Sequence, residues 1–325
     1  MSTQDNREST RHLVAPELLV GLENFPSLDF SVGLDVIRAG FMDREDPPMP
    51  EGLETVSVEE RLIPGPEGAP DVRILIYTPP GQAKGKRPAL YHIHGGGYVL
   101  GAPEGGDLPN RATALAVGCI VVSVDYRKAP ETQWPGSRDD CYAGLCWLHD
   151  NAEELGIDTS RIAIGGESAG GGHAAALAIH ARNQGGPKIC LQVLDAPMLD
   201  DRTGSTGEPH PYTGEFVWTP AANRFGWESL LGVKPGGPDV TEEMAPARTR
   251  DLTGLPPAMV YVGALDLFLE EDIEYVRRLA RSGIPVEFYV TPGAFHGFGA
   301  AGPTPQLMTT IQLRTAALAQ AFGVE

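Results

Sequence analysis

Six short runs rich in Val, Ile and Tyr recur along the chain: "ALYHIH", "CIVVSVDY", "RIAIGG", "ICLQVLD", "AMVYVG" and "VEFYV". Amphipathic helical spacing fills several of the gaps, near residues 107–117, 138–155, 169–183 and 268–282. Short, continuously apolar runs in alternation with helices predict a mainly parallel sheet covered on both faces, an α/β fold. Upstream, "ETVSVEERLI" alternates like a half-exposed strand. The turn "PGPEGAPD" joins it to a second strand, "VRILIYT", which predicts a hairpin and brings the strands to eight.

Two regions break the rhythm. Residues 1–50 hold two helix-like patterns, near 13–22 and 29–41, and run into the Pro-rich "DREDPPMPEG". About 60 Pro- and Gly-rich residues, 196–256, separate "ICLQVLD" from "AMVYVG". Connections inside a compact domain are usually a few residues long, so this one reads as a functional insertion. It carries Phe216, Trp218, Phe225 and Trp227. Steps of two residues within that set mean that at most one or two rings can share a helical face.

The bulk properties narrow the classes. A chain of 325 residues, 42% hydrophobic, suits one large α/β domain or two small ones with a sizeable core. No apolar run approaches the ~20 residues of a membrane helix. The start, "MSTQDNREST", has no apolar signal core, so a cytoplasmic protein is expected. Cys119, Cys141, Cys146 and Cys190 sit in apolar segments without metal-ligand spacing, which predicts buried free thiols in a reducing compartment. The net charge of −18, from 43 acids against 25 bases, repels nucleic acid and anionic membranes.

The chemistry begins at "GESAG", Gly166 to Gly170, a Gly-x-Ser-x-Gly sequence between a strand pattern and a helix pattern. Such a turn is so sharp that the serine backbone is strained, its hydroxyl stands clear of the sheet and its near neighbours must lack a Cβ. Ser168 then begins a helix, whose dipole favours developing negative charge. The overlapping "GGGHAA" also fits a dinucleotide fingerprint, with Asp195 where a ribose-binding acid would stand, but its first glycine lies five residues past the strand end near Gly165. "YHIHGGGYVLG" supplies an anion site: Gly96, Gly97 and the amide of Ala169 are the expected donors. His92 and His94 alternate as metal ligands would, but no third ligand follows at useful spacing; His94 is expected to brace the glycine loop, and no metal is expected.

Of eight histidines, His296 in "TPGAFHGFG" follows the last strand, where catalytic groups collect. His173 lies on the serine's own helix and points away; His12, His149, His180 and His210 lack a suitable loop. Asp266 stands just past "AMVYVG", while Glu270 and Glu271 open the next helix and are expected to serve its dipole. The order Ser168, Asp266, His296 is that of the α/β-hydrolase triad.

With these pieces in place, the sequence resembles the hormone-sensitive-lipase-like (bacterial family IV) esterases of the α/β-hydrolase superfamily. The matching stretches are "HGGG" at 94–97, "YRKAPE" at 126–131, "GESAGG" at 166–171, "DLFLEE" at 266–271 and "FHGF" at 295–298. They run in the family's order from about residue 88 to the C-terminus. The resemblance implies an α/β-hydrolase fold with a mostly parallel eight-stranded sheet and a helical cap. The cap would comprise residues 1–50 and an insertion at 197–250 within a catalytic domain of 51–325. It also implies a serine carboxylesterase using the triad and oxyanion donors named above. Family members usually carry Asp where Glu167 stands, an apolar residue where Lys128 stands, and often Asn where His173 stands.

The expected reaction is acyl transfer to water through an acyl-enzyme, without cofactor, on a small, mostly apolar ester. Tyr98, Phe216 and Trp218 are expected to line the substrate pocket. The only expected partner is that small-molecule ester, with the oligomeric state open, a homodimer included. Two other readings stand beside it: a hydrolase of an amide, lactone or carbonate on the same triad, and a non-enzymatic ligand receptor on the same fold.

Overall fold

All eight predicted strands join one sheet in a computed structural model that describes residues 9–25, 28–42, 48–83, 85–206 and 209–324. They are β1 (Ser57–Ile63), β2 (Val72–Thr78), β3 (Arg87–Ile93), β4 (Ile120–Asp125), β5 (Ile157–Glu167), β6 (Leu191–Asp195), β7 (Ala258–Gly263) and β8 (Val286–Thr291). The spatial order is β1-β2-β4-β3-β5-β6-β7-β8. The hairpin β1–β2 and the pair β2–β4 are antiparallel; every other pair is parallel. The helices are α1 (Leu19–Asn24), α2 (Leu34–Met42), α3 (Asp107–Val117), α4 (Gly136–Asp150), α5 (Ala152–Leu155), α6 (Ala169–Gln184), α7 (Pro220–Leu231), α8 (Leu269–Arg281) and α9 (Pro305–Phe322).

Strand residues two apart face the same side, so each strand feeds two cores. Ile74, Tyr91, Val122 and Ile164 pack against Leu145 of α4, Leu177 of α6 and Leu279 of α8. Leu75, Leu90, Val121 and Met259 pack against Ala114 of α3 and Leu318 of α9. This two-sided burial is why the strands read as unbroken apolar runs.

Four helix expectations need correction. The pattern at 13–22 is two 3₁₀ turns, Thr10–Leu13 and Pro16–Leu18, with Val14 and Ala15 extended between them, and α1 begins only at Leu19. The pattern at 138–155 divides into α4 and α5 at Asn151, whose amide closes the end of α4. The pattern at 29–41 is a 3₁₀ turn, Phe30–Val32, followed by α2, with Gly33 at φ 105° between them. The whole of α9 goes unpredicted: Met308 and Ile311 are exposed on it while Leu318 and Phe322 are buried, so no single apolar stripe marks it. Residues 1–8, with most of the polar start, lie outside the described residues.

The N-terminal segment and the insertion meet over the C-terminal edge of the sheet. Ser9 Oγ, Thr10 N and Thr10 Oγ1 each donate to the Glu215 carboxylate at 2.6 Å. Ala15 N donates to Gly293 O at 3.1 Å. Phe30 stacks on Phe225 with centroids 4.4 Å apart. Arg38 donates to the carbonyls of Val99 and Ala129 and forks onto Glu131. The insertion is pinned at its base by fully buried Asp201, which accepts from Arg248 at 2.6 and 2.8 Å and from Gly236 N.

Glu271 corrects another expectation. It is buried, and its carboxylate accepts from the amides of Leu199 and Asp200, so it anchors the start of the insertion rather than its own helix end. The four cysteines are free; Cys119 and Cys141 are buried, Cys146 and Cys190 half-buried. No helix among the described residues is long and apolar enough to cross a membrane.

Asp272 beside Glu271 is fully buried, with no hydrogen-bond partner among the described residues for either carboxyl oxygen. Burial, then the charges of Glu271, Asp266 and Asp195, push it well above the ordinary carboxylate range. The folded state therefore retains a proton that the unfolded chain releases above a pH of about 3.9. The resulting cost is absent below that pH and grows as pH rises. Asp272→Asn should raise Tm much more at pH 8 than at pH 4.5, measured by thermal melts. An equal gain at both pH values would assign the effect to packing.

Candidate active site

β5 hands over to α6 at Ser168, whose φ of 56° and ψ of −121° lie where a side chain is strained. Neighbouring backbone holds it there: Ser168 N donates to Asp195 O at 2.8 Å, and its carbonyl accepts from Gly172 N and Met198 N, each at 2.9 Å. The glycines that follow serve close packing. A Cβ on Gly170 would collide with the carbonyls of Ile93 and His94, so α6 could not lie against the end of β3. This accounts for the run that mimics a dinucleotide fingerprint.

Two further loops reach the serine. His296 follows β8, and Asp266 follows β7. His296 Nδ1 lies 2.8 Å from Asp266 Oδ2, and His296 Nε2 lies 2.9 Å from Ser168 Oγ. An ionised carboxylate only accepts, so Nδ1 carries the proton and Nε2 faces the hydroxyl as acceptor. Asp266 is itself held by the amide of Phe268, 3.0 Å from Oδ1. The Phe268 ring meets the imidazole edge-on, with centroids 5.1 Å apart.

The glycine loop after β3 completes the arrangement. No turn or loop hydrogen bond among the described residues uses the amides of Gly96, Gly97 or Ala169. Gly96 has φ 124°, and a Cβ there would collide with Leu100 O, so glycine is required. His94 Nδ1 lies 2.8 Å from Gly95 O, and its ring stacks on Tyr126. His173 is buried, its ring meeting those of Tyr98 and Tyr126. A serine hydroxyl, an imidazole and a carboxylate thus stand in line beside the N–H groups of Gly96, Gly97 and Ala169, an arrangement whose chemistry suits acyl transfer.

The three expected pocket residues separate. Tyr98 is a correction: its ring is buried against His173 and Trp227, and its hydroxyl is spent on Met198 O, so it belongs to the core. Trp218 lies against the loop, where a Cβ on Gly97 would collide with its ring, and its centroid is 6.3 Å from that of His296. Phe216 packs on Phe295 and lines a cavity of about 640 Å³ with Phe30, Val217, Thr219, Ala222 and Phe225. The triad residues are not part of that lining. Phe216 and Trp218 precede α7, so helical spacing does not govern them. Val217 between them has φ 61°, a strained value for a β-branched residue. Glu167, to which the sequence assigns no role, touches the glycine loop, and Arg38 reaches it from α2. Nothing local marks either, because each acts on a residue more than 60 positions away.

A mostly parallel sheet carrying Ser, His and Asp in this geometry on its C-terminal edge defines an α/β hydrolase. The family model for that fold matches residues 90–300. The chain belongs to that family, in its hormone-sensitive-lipase-like branch, and is a carboxylic ester hydrolase. It is 35% identical to the carboxylesterase NlhH of Mycobacterium tuberculosis over 292 residues, 88% of each chain. It is 33% identical to the esterase LipI of the same organism, over 94% of each chain. Among solved structures it resembles a bacterial heroin esterase, with a TM-score of 0.86 and 35% identity over 97% of this chain and 99% of the other.

Burial lowers the proton affinity of His296, but the charge and hydrogen bond of Asp266, with Asp195 beyond, outweigh it and raise the pKa above its ordinary value. Only the neutral ring can accept the serine proton. The rate kcat/KM should therefore rise with pH through a midpoint above about 6.5. Asp266→Asn removes the main counterweight to burial and should shift that midpoint downward on a residual rate about 10⁴-fold lower. Profiles from pH 4 to 9 for both proteins check this; an unmoved midpoint contradicts it.

Proposed function

We propose that the chain hydrolyses small, mostly apolar carboxylic esters, with Ser168 as nucleophile, His296 as base, and Asp266 orienting the imidazole. The continuous hydrogen-bonded line from Asp266 through His296 to Ser168 carries this reading. Ser168 Oγ attacks the ester carbonyl as His296 Nε2 takes its proton. The oxyanion is held by the amides of Gly96, Gly97 and Ala169. The proton passes to the departing alkoxide, and water, deprotonated by the same ring, releases the acid from the acyl-enzyme. Preorganised amides supply the largest single stabilisation in such sites.

The N-terminal segment and the insertion form the cap. Ser168 and His296 are each only 8% exposed, and Trp218 stands beside both the oxyanion loop and the imidazole. That suits a short acyl group; the Trp218 ring also meets Phe30, which lines the cavity beside Phe216.

A fluorophosphonate probe should label Ser168 alone, and Ser168→Ala should fold normally while losing about 10⁴-fold or more in turnover. Labelling elsewhere, or retained activity, removes the assignment. Trp218→Ala should join the cavity to the site and shift preference toward hexanoate and octanoate, with acetate still hydrolysed. The gain should be about 1–3 kcal/mol per methylene accommodated. Phe216→Ala enlarges only the cavity and should change the profile less. The measurement is kcat/KM across acetate, butyrate, hexanoate and octanoate. Identical profiles in all three proteins would mean that specificity lies elsewhere.

A further inference from the structure

Two loops must keep a fixed relation if amides from both are to converge on one oxygen. The glycine loop leaves β3 and carries Gly96 and Gly97; the serine turn leaves β5 and carries Ala169. Glu167, the last residue of β5, joins them. Its Oε1 accepts from Gly95 N at 2.8 Å, and its Oε2 lies 3.0 Å from His92 Nε2. Both partners belong to β3 or the loop that follows it.

The His92 end is itself secured. His92 Nδ1 lies 2.9 Å from Ser123 Oγ on β4 and 3.2 Å from Asn110 Nδ2 on α3. The Asn110 amide nitrogen only donates, so in this orientation Nδ1 accepts and the ring proton sits on Nε2, directed at Glu167. The carboxylate is thus gripped by two donors. Burial pushes its pKa upward, but the charge interaction and hydrogen bond with His92, the Gly95 amide and the nearby His94 outweigh it and hold it below the ordinary value. Asp195 stands opposite Glu167 across the β5–β6 pair. Burial, and then the Glu167 charge, push Asp195 up to about 7, so of the two carboxyls Asp195 is the one that takes up a proton first as pH falls.

The Gly95 amide is consumed by this bond, which sets the direction in which the glycine loop leaves the strand. The far side of the loop is held by Gly96 O, which accepts from Val99 N at 3.1 Å and Leu100 N at 2.8 Å. The amides of Gly96 and Gly97 lie at or between these anchors. We propose that Glu167 is a positioning residue: by spanning Gly95 and His92 it locks the oxyanion loop to the nucleophile turn. This rests on the esterase reading above. Because oxyanion donors act on charge that develops only in the transition state, loosening them lowers kcat and leaves ground-state binding nearly intact.

Glu167→Gln keeps the shape but presents an amide whose nitrogen opposes either the Gly95 or the His92 donor. It should lower kcat about 10-fold, against 10²–10³ for outright loss of an oxyanion donor, with KM within about twofold of wild type. Glu167→Asp keeps the charge but is one methylene too short to span both partners; it should recover much of the loss. His92→Gln should give a smaller kcat loss at unchanged KM, and combining it with Glu167→Gln should cost less than the product of the two. If Glu167→Gln does not fold by circular dichroism, Glu167→Asp and His92→Gln carry the test. Wild-type kcat in the folded variants, or a rise in KM at unchanged kcat, overturns the proposal. Fluorophosphonate labelling of the wild-type protein separates the two levels: absence of label on Ser168 overturns the esterase site itself, whereas label on Ser168 with wild-type kcat in the Glu167 variants overturns only the positioning role.

Discussion

The backbone of Ser168 is the constraint around which the molecule is arranged. A non-glycine residue at φ 56° costs on the order of 1–3 kcal/mol, and it persists only where its surroundings over-determine it. Here they do. The amide is tied to Asp195 on the neighbouring strand, and the carbonyl is tied to the helix that follows and to the start of the insertion. Parallel pairing of β5 with β3 and β6 puts those anchors at one edge. The strain projects the hydroxyl toward the His296 ring, and the same geometry brings α6 so close to β3 that Gly170 cannot carry a side chain.

Much of this was legible in the sequence because it is local. Six short apolar runs and a predicted hairpin became the eight strands, and β3 to β7 are largely buried on both faces. Ser168, Asp266 and His296 each stand one to five residues past a strand end, so strand boundaries alone brought them to one edge. What stayed hidden depends on distant partners. Tyr98, next to the glycine loop, was expected in the pocket, yet its hydroxyl goes to Met198, 100 residues on. Glu271 looked like a helix-end acid until Leu199 and Asp200 came to it. The aromatic spacing from 216 to 227 misled because the helix begins only at Pro220, leaving Phe216 and Trp218 in irregular chain.

The region above the sheet is assembled differently from the region within it. Inside, apolar area dominates. Above, Glu215, Asp201, Glu271 and Arg38 each collect two or more hydrogen bonds from backbone or side chains distant in sequence. Charge-assisted bonds of this kind are directional. They fix the path of irregular segments that have no ladder of their own, which suits a part of the molecule that must present particular side chains to a small site.

The docking of the first described residues also sets an order of events during synthesis. Ala15 bonds to Gly293, Gly21 packs against Ala301, and Thr10 bonds to Glu215. This segment therefore binds surfaces made about 200 or more residues after it. At about 5–20 residues per second, the wait is on the order of tens of seconds. Through that interval Leu18 and Val14, fully or almost fully buried in the finished protein, have no native surface to cover them. Until its partners are made, this segment is an uncovered apolar stretch of the kind that chaperones bind.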